Sequence, residues 1–441
     1  MQRSIRNAFV LAGVSLMTIG SALTAEEPRW IWGSENAQQE ASEGECEFRR
    51  KFTLVKKIKP PAKSDGPFEL RDGDRVVLLG NTFIERAQRY GFIECELTRL
   101  CPNRNVIFRN LGWSGDTVFG EARARFGTAR EGFEHLETQV HLVDPTLILS
   151  AYGSNAAFAG RSGIAPFIAG YEKLLNVLEA TGARITLLSP MKHEDLGPPL
   201  PDHAKYNQNL ALYRDAIRNL AKRRSLGFVD LHDAYDNVDV ESESLTDNGI
   251  HLTESGYRFA ATTLSDRLEI STDRPVITID AASAMPKTKA ATVSGVSSKS
   301  GSLTFRAKLD TLPLPTHPDG APTTAFQLKV RNLPDGNYKI TADDEILAVA
   351  NAAKLEAGVS IIRGPDVAQV DLLRQTICRK NELFFHRWRP QNETYLFLFR
   401  KHEQGNNAVE IPKFDPLVAE QEAIIVDLRV PKTHSYAIRR K

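Results

Sequence analysis

Four polar segments of the sequence contain residue types that could carry out nucleophilic chemistry, and each follows a short apolar run. In VVLLGNTFIER the run ends at a glycine, and Asn81 and the hydroxyl of Thr82 come directly after it. NLGWSGDT contains Gly115, AYGSN ends at Asn155, and LTDNGIHLTESGY contains His251. Many hydrolases hold a nucleophilic hydroxyl at a strand-to-helix turn of this kind. These segments are therefore the candidates for a reactive site.

The apolar runs before these segments alternate with longer amphipathic stretches from residue 70 onward. The strand candidates are RVVLL, NVIFRNL, TLILSAY, RITLLSP and GFVDL. Stretches such as FIERAQRYGFIECELTRL, IAPFIAGYEKLLNVLEATG and the closing HLTESGYRFAATTLSDRLE have helical periodicity. This alternation favours a parallel sheet with helices on both faces. Because ligands bind at the carboxyl ends of the strands in such sheets, we expect the four segments to meet at one edge.

After residue 275 the sequence becomes rich in β-branched residues and turn signals. VITIDAA, SLTFRAKLD and AFQLKVRNLPDGNYKITADD are strand candidates, whereas RWRPQNETYLFLFRKHEQGNN indicates two helices. We therefore predict an α/β domain over 70–272, a β-rich domain over 273–365 and a helical extension over 366–441. A short β-like segment with a proline-rich linker occupies 26–69.

The amino-terminal residues have the pattern of a signal peptide. MQRSIR carries positive charge, and AFVLAGVSLMTIGSA supplies an apolar stretch of the length of an h-region. We expect cleavage after residue 25, export to the periplasm or the medium, and no stable membrane insertion thereafter. The alternative is an uncleaved membrane anchor, although the stretch is short for a membrane span.

The net charge and the spacing of the cysteines indicate which partners and cofactors the protein is not expected to bind. The 441 residues contain 56 basic and 55 acidic side chains, so the net charge of +1 gives no indication of nucleic-acid binding. The four cysteines form no CxxC or CxxCH, and no HExxH occurs. We therefore expect no metal and no organic cofactor, and a neutral ligand.

The order of these motifs resembles that of the SGNH, or GDSL-type, hydrolase superfamily over roughly residues 70 to 270. Gly80-Asn81-Thr82 matches its Gly-Asp-Ser turn, Gly115 matches its oxyanion glycine, and Gly153-Ser154-Asn155 matches its Gly-x-Asn motif. His251 matches its histidine. The resemblance implies a three-layer, flavodoxin-like α/β fold and an esterase activity.

The resemblance also implies roles for these residues. The hydroxyl of Thr82 would attack an ester carbonyl, and His251 would accept the proton and return it to the leaving group. The backbone N–H groups of Thr82 and Gly115 and the amide of Asn155 would form the oxyanion hole.

Two positions depart from the pattern of the superfamily. Thr82 replaces the serine, and its extra methyl group crowds the attack. Asn248 stands where the aspartate three residues before the histidine is expected, and Asp247 lies one residue too early. Glu194, in SPMKHED, could substitute for the missing acid, and His193 and Glu194 could line the pocket; alternatively, both are loop residues.

A narrower resemblance involves most of the chain. GNTFIERAQRYGFIE, SPMKHEDLGPPLP and the C-terminal KNELFFHRWRPQNETYLFLFRKHEQG are similar to an SGNH-like subgroup of large exported bacterial proteins. The segment WIW…FRRKFTL resembles the opening of a β-sandwich module of secreted glycan-active proteins. These likenesses imply hydrolysis of an ester, an acetyl or short acyl group on a carbohydrate. The alternative is a catalytically silent domain that binds a glycan or assembles exported proteins.

Each motif residue also has a structural interpretation that the sequence leaves open. Thr82 could cap the helix that begins at Phe83. Asn155 could serve a turn, and His251 could be a structural histidine ahead of a helix.

Overall fold

The computed structural model describes residues 59–60, 62–64, 66–237, 244–270, 272–299, 301–403 and 407–441. The predicted signal peptide, the predicted β-like segment that follows it and Cys46 lie outside the described residues. Among the residues that the structure does describe, no helix is both long enough and apolar enough to cross a membrane.

The α/β domain contains a parallel five-stranded sheet. Its strands are β1 (Arg75–Gly80), β2 (Ile107–Asn110), β3 (Leu147–Ala151), β4 (Arg184–Leu188) and β5 (Gly227–Val229). All neighbouring pairs are parallel, and the order across the sheet is β2-β1-β3-β4-β5. Four strands lie within the segments that their apolar runs predict, and β1 extends one residue further, to Gly80. The predicted fold class is confirmed.

Helices cover both faces of this sheet. They are α1 (Thr82–Tyr90), α2 (Phe92–Arg99), α3 (Ala129–Leu142), α4 (Ile164–Glu179), α5 (Ala204–Arg224) and α6 (Glu254–Arg267). Alternate strand residues point to opposite faces, so Val77 and Leu79 pack with α3, α4 and α5, and Val76 and Leu78 pack with α1, α2 and α6. The domain therefore has three layers.

The stretch predicted as one helix over 83–100 is divided at Gly91. This glycine has a φ of 68°, which ends α1, and a side chain there would lie 2.8 Å from the sulfur of Cys378. The tight approach of another helix thus requires a glycine, and helical periodicity alone does not reveal that contact.

The C-terminal β-rich region forms two sheets that share one core. The further strands are β6 (Val276–Asp280), β7 (Met285–Lys289), β8 (Ala291–Lys299), β9 (Ser302–Leu309), β10 (Phe326–Arg331), β11 (Asn337–Ala342), β12 (Glu345–Asn351), β13 (Val359–Ile361) and β14 (His434–Arg440). One sheet has the order β13-β10-β6-β7 and the other has the order β12-β11-β14-β9-β8. Phe305, Phe326 and Tyr436 pack between them.

The remaining helices are α7 (Ala352–Ala357), α8 (Pro365–Trp388), α9 (Glu393–Leu396) and α10 (Phe414–Leu428). Short 3₁₀ segments occur at Glu121–Arg123, Ala156–Gly163, His232–Asn237, Lys401–Glu403 and Asn407–Lys413. The extension predicted as helical ends in strand β14, which lies between β11 and β9 with Tyr436 and Ile438 buried. Long-range pairing decides the structure of this segment, and its sequence carries only a short alternation.

Candidate active site

The carboxyl ends of β1 and β3 open onto a cleft. Because β2 and β3 lie on opposite sides of β1, the connections after β1 and β3 leave a crevice between them, as at the switch point of other doubly wound sheets. Thr82, Asn155 and His251 all line this cleft, which has about 730 Å³ of empty space including the part open to solvent. The structure thus brings together residues that span about 170 positions of the sequence.

Thr82 is the first residue of α1, and Asn81 caps that helix. The Asn81 side-chain oxygen accepts a hydrogen bond of 3.2 Å from the N–H of Phe83. The interpretation of Thr82 as the helix cap is therefore wrong, since its neighbour performs that task. The N–H of Thr82 has no acceptor within the helix, because the first turn of a helix leaves its N–H groups unpaired.

Gly115 lies against the hydroxyl of Thr82. Its N–H donates to Thr82 Oγ1 over 3.3 Å, and its φ is +77°. The preceding Asn110 fixes this loop, because its side chain donates to the carbonyl of Ile84 at 2.6 Å and accepts from the N–H of Gly112 at 2.9 Å. The predicted oxyanion glycine is thus held directly on the helix that carries Thr82.

Asn155 is tied to the same loop. Its side-chain nitrogen donates to the carbonyl of Asp116 over 3.2 Å. The Asp116 carboxylate is fully buried, where it accepts from Arg123 at 2.7 Å and from the hydroxyl of Tyr152 at 3.1 Å. Burial raises the pKa of Asp116, and the charge of Arg123 opposes that rise. This buried network holds the loop and the asparagine in one arrangement.

The orientation of Asn248 decides which nitrogen of His251 carries the proton. The Asn248 side-chain oxygen accepts from the N–H groups of Ile250 and His251 at 3.1 and 3.0 Å. Its NH₂ group therefore faces His251 Nδ1, 3.2 Å away. Since an NH₂ group only donates, Nδ1 accepts, and the neutral ring carries its proton on Nε2. This tautomer is the reverse of the one that an aspartate selects in a Ser-His-Asp triad.

Asp247 pairs with Arg86. Its carboxylate accepts from Arg86 Nη2 at 2.8 Å, and its backbone N–H donates to the carbonyl of His251. Burial lowers the pKa of His251, Arg86 lowers it further, and Asp247 raises it. The imidazole is consequently neutral near pH 7.

His193 lines the cleft, whereas the neighbouring Glu194 does not. The Glu194 carboxylate accepts from Leu245 N–H at 3.2 Å and from the hydroxyls of Ser244 and Thr246, and it does not line the cleft. It anchors the turn that precedes His251. His193 does line the cleft, and burial together with His203 and His251 lowers its pKa to about 4.

Three further lining residues escape prediction from motifs. Arg86 lies four residues after Thr82, so the helical repeat places both on one face and could have indicated it. Lys192 pairs with Asp236 at 2.6 Å, and the hydroxyl of Tyr257 donates to the carbonyl of Phe83. Across the described part of the chain, no group of three or more His, Cys, Asp or Glu side chains could hold a metal ion.

Most of the α/β domain matches the model of one protein family. Residues 86–259 match the model of the GDSL-like Lipase/Acylhydrolase family. The match begins after Thr82 and includes Gly115, Asn155 and His251. Together with the parallel sheet, it confirms the resemblance to the SGNH hydrolase superfamily. No curated protein sequence matches the chain.

Solved structures are similar in fold over different shares of the chain. A gut microbial diltiazem-metabolizing enzyme is 16% identical and covers 88% of this chain and 100% of its own, with a TM-score of 0.66. A catalytic mutant of Axe2, an acetylxylan esterase from Geobacillus stearothermophilus, is 16% identical over 47% of this chain and 100% of its own, with a TM-score of 0.38. The acetyl xylan esterase AlAXEase is 18% identical and covers 44% of this chain and 98% of its own, with a TM-score of 0.33. The first similarity extends the fold relationship to the C-terminal region.

Proposed function

We propose that this SGNH-type domain hydrolyses a carboxylic ester, with Thr82 as the nucleophile and His251 as the group that moves the proton. The observation that carries the proposal is that Thr82, Asn155 and His251 line one cleft, while the N–H of Gly115 donates to the Thr82 hydroxyl. These are the groups that acyl transfer needs, and they lie at the edge of the sheet where ligands bind.

The proposed reaction has two steps. Thr82 Oγ1 attacks the ester carbonyl carbon while its proton passes to His251 Nε2, and the N–H groups of Thr82 and Gly115 and the amide of Asn155 receive the negative charge on the carbonyl oxygen. The alcohol then leaves with the proton from His251, and the acyl group stays on Thr82. Water attacks this acyl group, gives its proton to His251, and releases the acid and the free hydroxyl.

Asn248 makes this reaction slow. His251 accepts the proton on Nε2 only if Nδ1 carries the other one, and the Asn248 NH₂ group opposes that tautomer. In serine proteases, replacing the aspartate partner by asparagine lowers kcat by about 10⁴. We therefore expect a low turnover number with an intact site geometry.

The proposed substrate is a carbohydrate that carries an acetyl or short acyl group. The ring of Phe158 is 70% exposed and lies 4.3 Å from the ring of Tyr206. The Tyr206 ring lies 4.5 Å from His193, which lines the cleft, and its hydroxyl donates to the carbonyl of Ser154. An exposed aromatic face beside the cleft suits the flat apolar face of a sugar ring. The signal-like N-terminus supports placing the reaction outside the cytoplasm.

A second candidate function is ligand binding without cleavage. The Asn248 orientation favours it, because a His251 with its proton on Nε2 offers a hydrogen-bond donor to the cleft. Arg86 and Lys192 are further donors, and among the described residues that line the cleft none has a carboxylate. Such a cleft would hold the oxygen atoms of a glycan and leave its esters intact.

One experiment separates the two functions. The purified protein is assayed on p-nitrophenyl acetate and acetylated oligosaccharides beside Thr82→Ala and His251→Ala, with Thr138→Ala, outside the cleft, as the matched control. Hydrolysis that both site variants lose and the control keeps supports the esterase. Binding of the oligosaccharides by the wild type without any release of acetate supports the second function.

A further inference from the structure

The loop that carries Gly115 is covered by the end of a C-terminal helix. Trp113 lies in this loop and is 8% exposed. Its ring meets the ring of Trp388, the last residue of α8, edge-on at 5.9 Å. Helix α8 lies between β13 and β14 in the sequence, so a segment that is remote along the chain covers the oxyanion loop.

Arg389 makes the closest of these contacts. Its guanidinium carbon lies 3.5 Å from the centre of the Trp113 ring, which is a cation–π contact. Its backbone N–H donates to the carbonyl of Phe385, so the helix end fixes where the side chain starts. The side chain is three-quarters buried, which strengthens its electrostatic contacts.

Glu85 links Arg389 to the site itself. Arg389 Nη1 donates to the Glu85 carboxylate at 3.0 Å, and the same carboxylate oxygen accepts from the N–H of Ser114. Glu85 stands on α1 three residues after Thr82, and Ser114 directly precedes Gly115. One carboxylate thus joins the nucleophile helix, the oxyanion loop and the C-terminal helix.

We propose that Arg389 is a positioning residue, which holds the Trp113–Gly115 loop on α1 so that the Gly115 N–H points at the developing oxyanion. The inference rests on the proposed function, and it makes the C-terminal helix part of the esterase site. Arg389 itself lies outside the residues that line the cleft. It therefore acts through Trp113 and Glu85 and not on the substrate.

The test compares the full-length protein with Arg389→Ala, Arg389→Lys and Glu85→Gln. Arg379→Ala is the matched control, because Arg379 lies on α8 in an exposed ion pair with Glu382. Two quantities are measured: the kinetics of p-nitrophenyl acetate hydrolysis, and hydrogen exchange of the backbone amides over 111–117, which needs no activity.

We expect Arg389→Ala to lower kcat by about 10- to 100-fold with KM within about twofold, because loss of a whole oxyanion donor costs about 10²–10³. Exchange over 111–117 should become faster in Arg389→Ala and in Glu85→Gln, and stay unchanged in the control. Arg389→Lys should restore kcat and slow exchange only in part. The lysine keeps the positive charge that pairs with Glu85, but it lacks the planar guanidinium that stacks on Trp113.

Unchanged exchange over 111–117 in Arg389→Ala overturns the inference, as does a kcat within twofold of the wild type. A wild type that hydrolyses no ester overturns the proposed function instead, and the exchange result then decides by itself whether Arg389 positions the loop.

Discussion

At the scale of single residues, the position of the threonine hydroxyl is the clearest sign of chemistry. Thr82 stands at the amino end of α1, where the helix dipole and the free N–H groups favour negative charge. Its hydroxyl is not needed to cap the helix, because Asn81 does so. The hydroxyl accepts a hydrogen bond from the N–H of Gly115, and the proposed attack on an ester would give it a chemical role as well.

Changing Thr82 tests this role. Thr82→Ser should keep or raise kcat, up to about tenfold, because serine retains the hydroxyl and removes the methyl group that crowds the approach. Thr82→Ala should lower kcat by about 10³ or more and leave the residual rate of the oxyanion site. Steady-state assays on p-nitrophenyl acetate measure both. Full activity in Thr82→Ala would place the chemistry elsewhere.

Changing Asn248 tests the tautomer of His251. Asn248→Asp should raise kcat by about 10² or more, since a carboxylate accepts from Nδ1–H and leaves Nε2 free to take the proton. It should also raise the pKa of His251, which burial and Arg86 now lower. Because the neutral imidazole is the proposed base, the loss of activity on acidification should move to higher pH in the variant. A pH–rate profile measures this shift, and an unchanged acidic limb would contradict it.

The sequence indicates Thr82, Gly115, Asn155 and His251 because the order of their motifs resembles that of the SGNH superfamily. It does not predict the Asn248 orientation or the pairing of Asp247 with Arg86. Both depend on how the turn before His251 folds, and that turn is set by the distant carboxylate of Glu194. Side-chain partners of this kind are a property of the assembled loop.

At the scale of elements, the strands of the α/β domain follow from their apolar runs, because a central parallel strand is buried on both faces. The break at Gly91 and the final strand β14 do not follow, since both are decided by contacts with remote segments. The loop before α6 is another such element. At Gly249 its backbone packs closely against Glu194 and His203, which belong to a remote segment of the chain.

Gly249→Ala should therefore displace His251. This glycine has a φ of +82°, and a Cβ there would lie 2.6 Å from both the carbonyl of Glu194 and Nε2 of His203. We expect the free energy of unfolding to fall by about 1–3 kcal/mol and kcat to fall with it. The control is Gly197→Ala, where φ is +71° and a Cβ would meet no atom within 4 Å. Chemical unfolding and kinetics measure both effects, and an equal loss in the two variants would contradict the steric argument.

At the scale of the whole molecule, charged pairs tie the C-terminal helices to the α/β domain. Arg109 pairs with Glu422 on α10, and Arg374 on α8 pairs with Glu254 at 3.0 Å. The most deeply buried of these pairs joins Lys380, also on α8, to Glu94 on α2, and Lys380 Nζ donates in addition to the carbonyl of Phe108. The two parts of the chain therefore share one interior.

Removing one partner of this pair should destabilise the protein strongly. Lys380 is 1% exposed and Glu94 is 6% exposed at the side chain, with 2.7 Å between Nζ and the carboxylate. Lys380→Ala leaves a buried carboxylate without its cation, so the free energy of unfolding should fall by about 3–5 kcal/mol. Lys380→Met combined with Glu94→Leu removes both charges and should restore most of that loss.

The control is Arg379→Ala, which breaks an exposed pair one residue away on the same helix. It should change the free energy of unfolding by about 1 kcal/mol or less. Urea unfolding followed by tryptophan fluorescence reports on this interface, because Trp113 and Trp388 lie within it. A loss in Lys380→Ala no larger than in Arg379→Ala would mean that the C-terminal helix is held on the α/β domain by its apolar contacts alone.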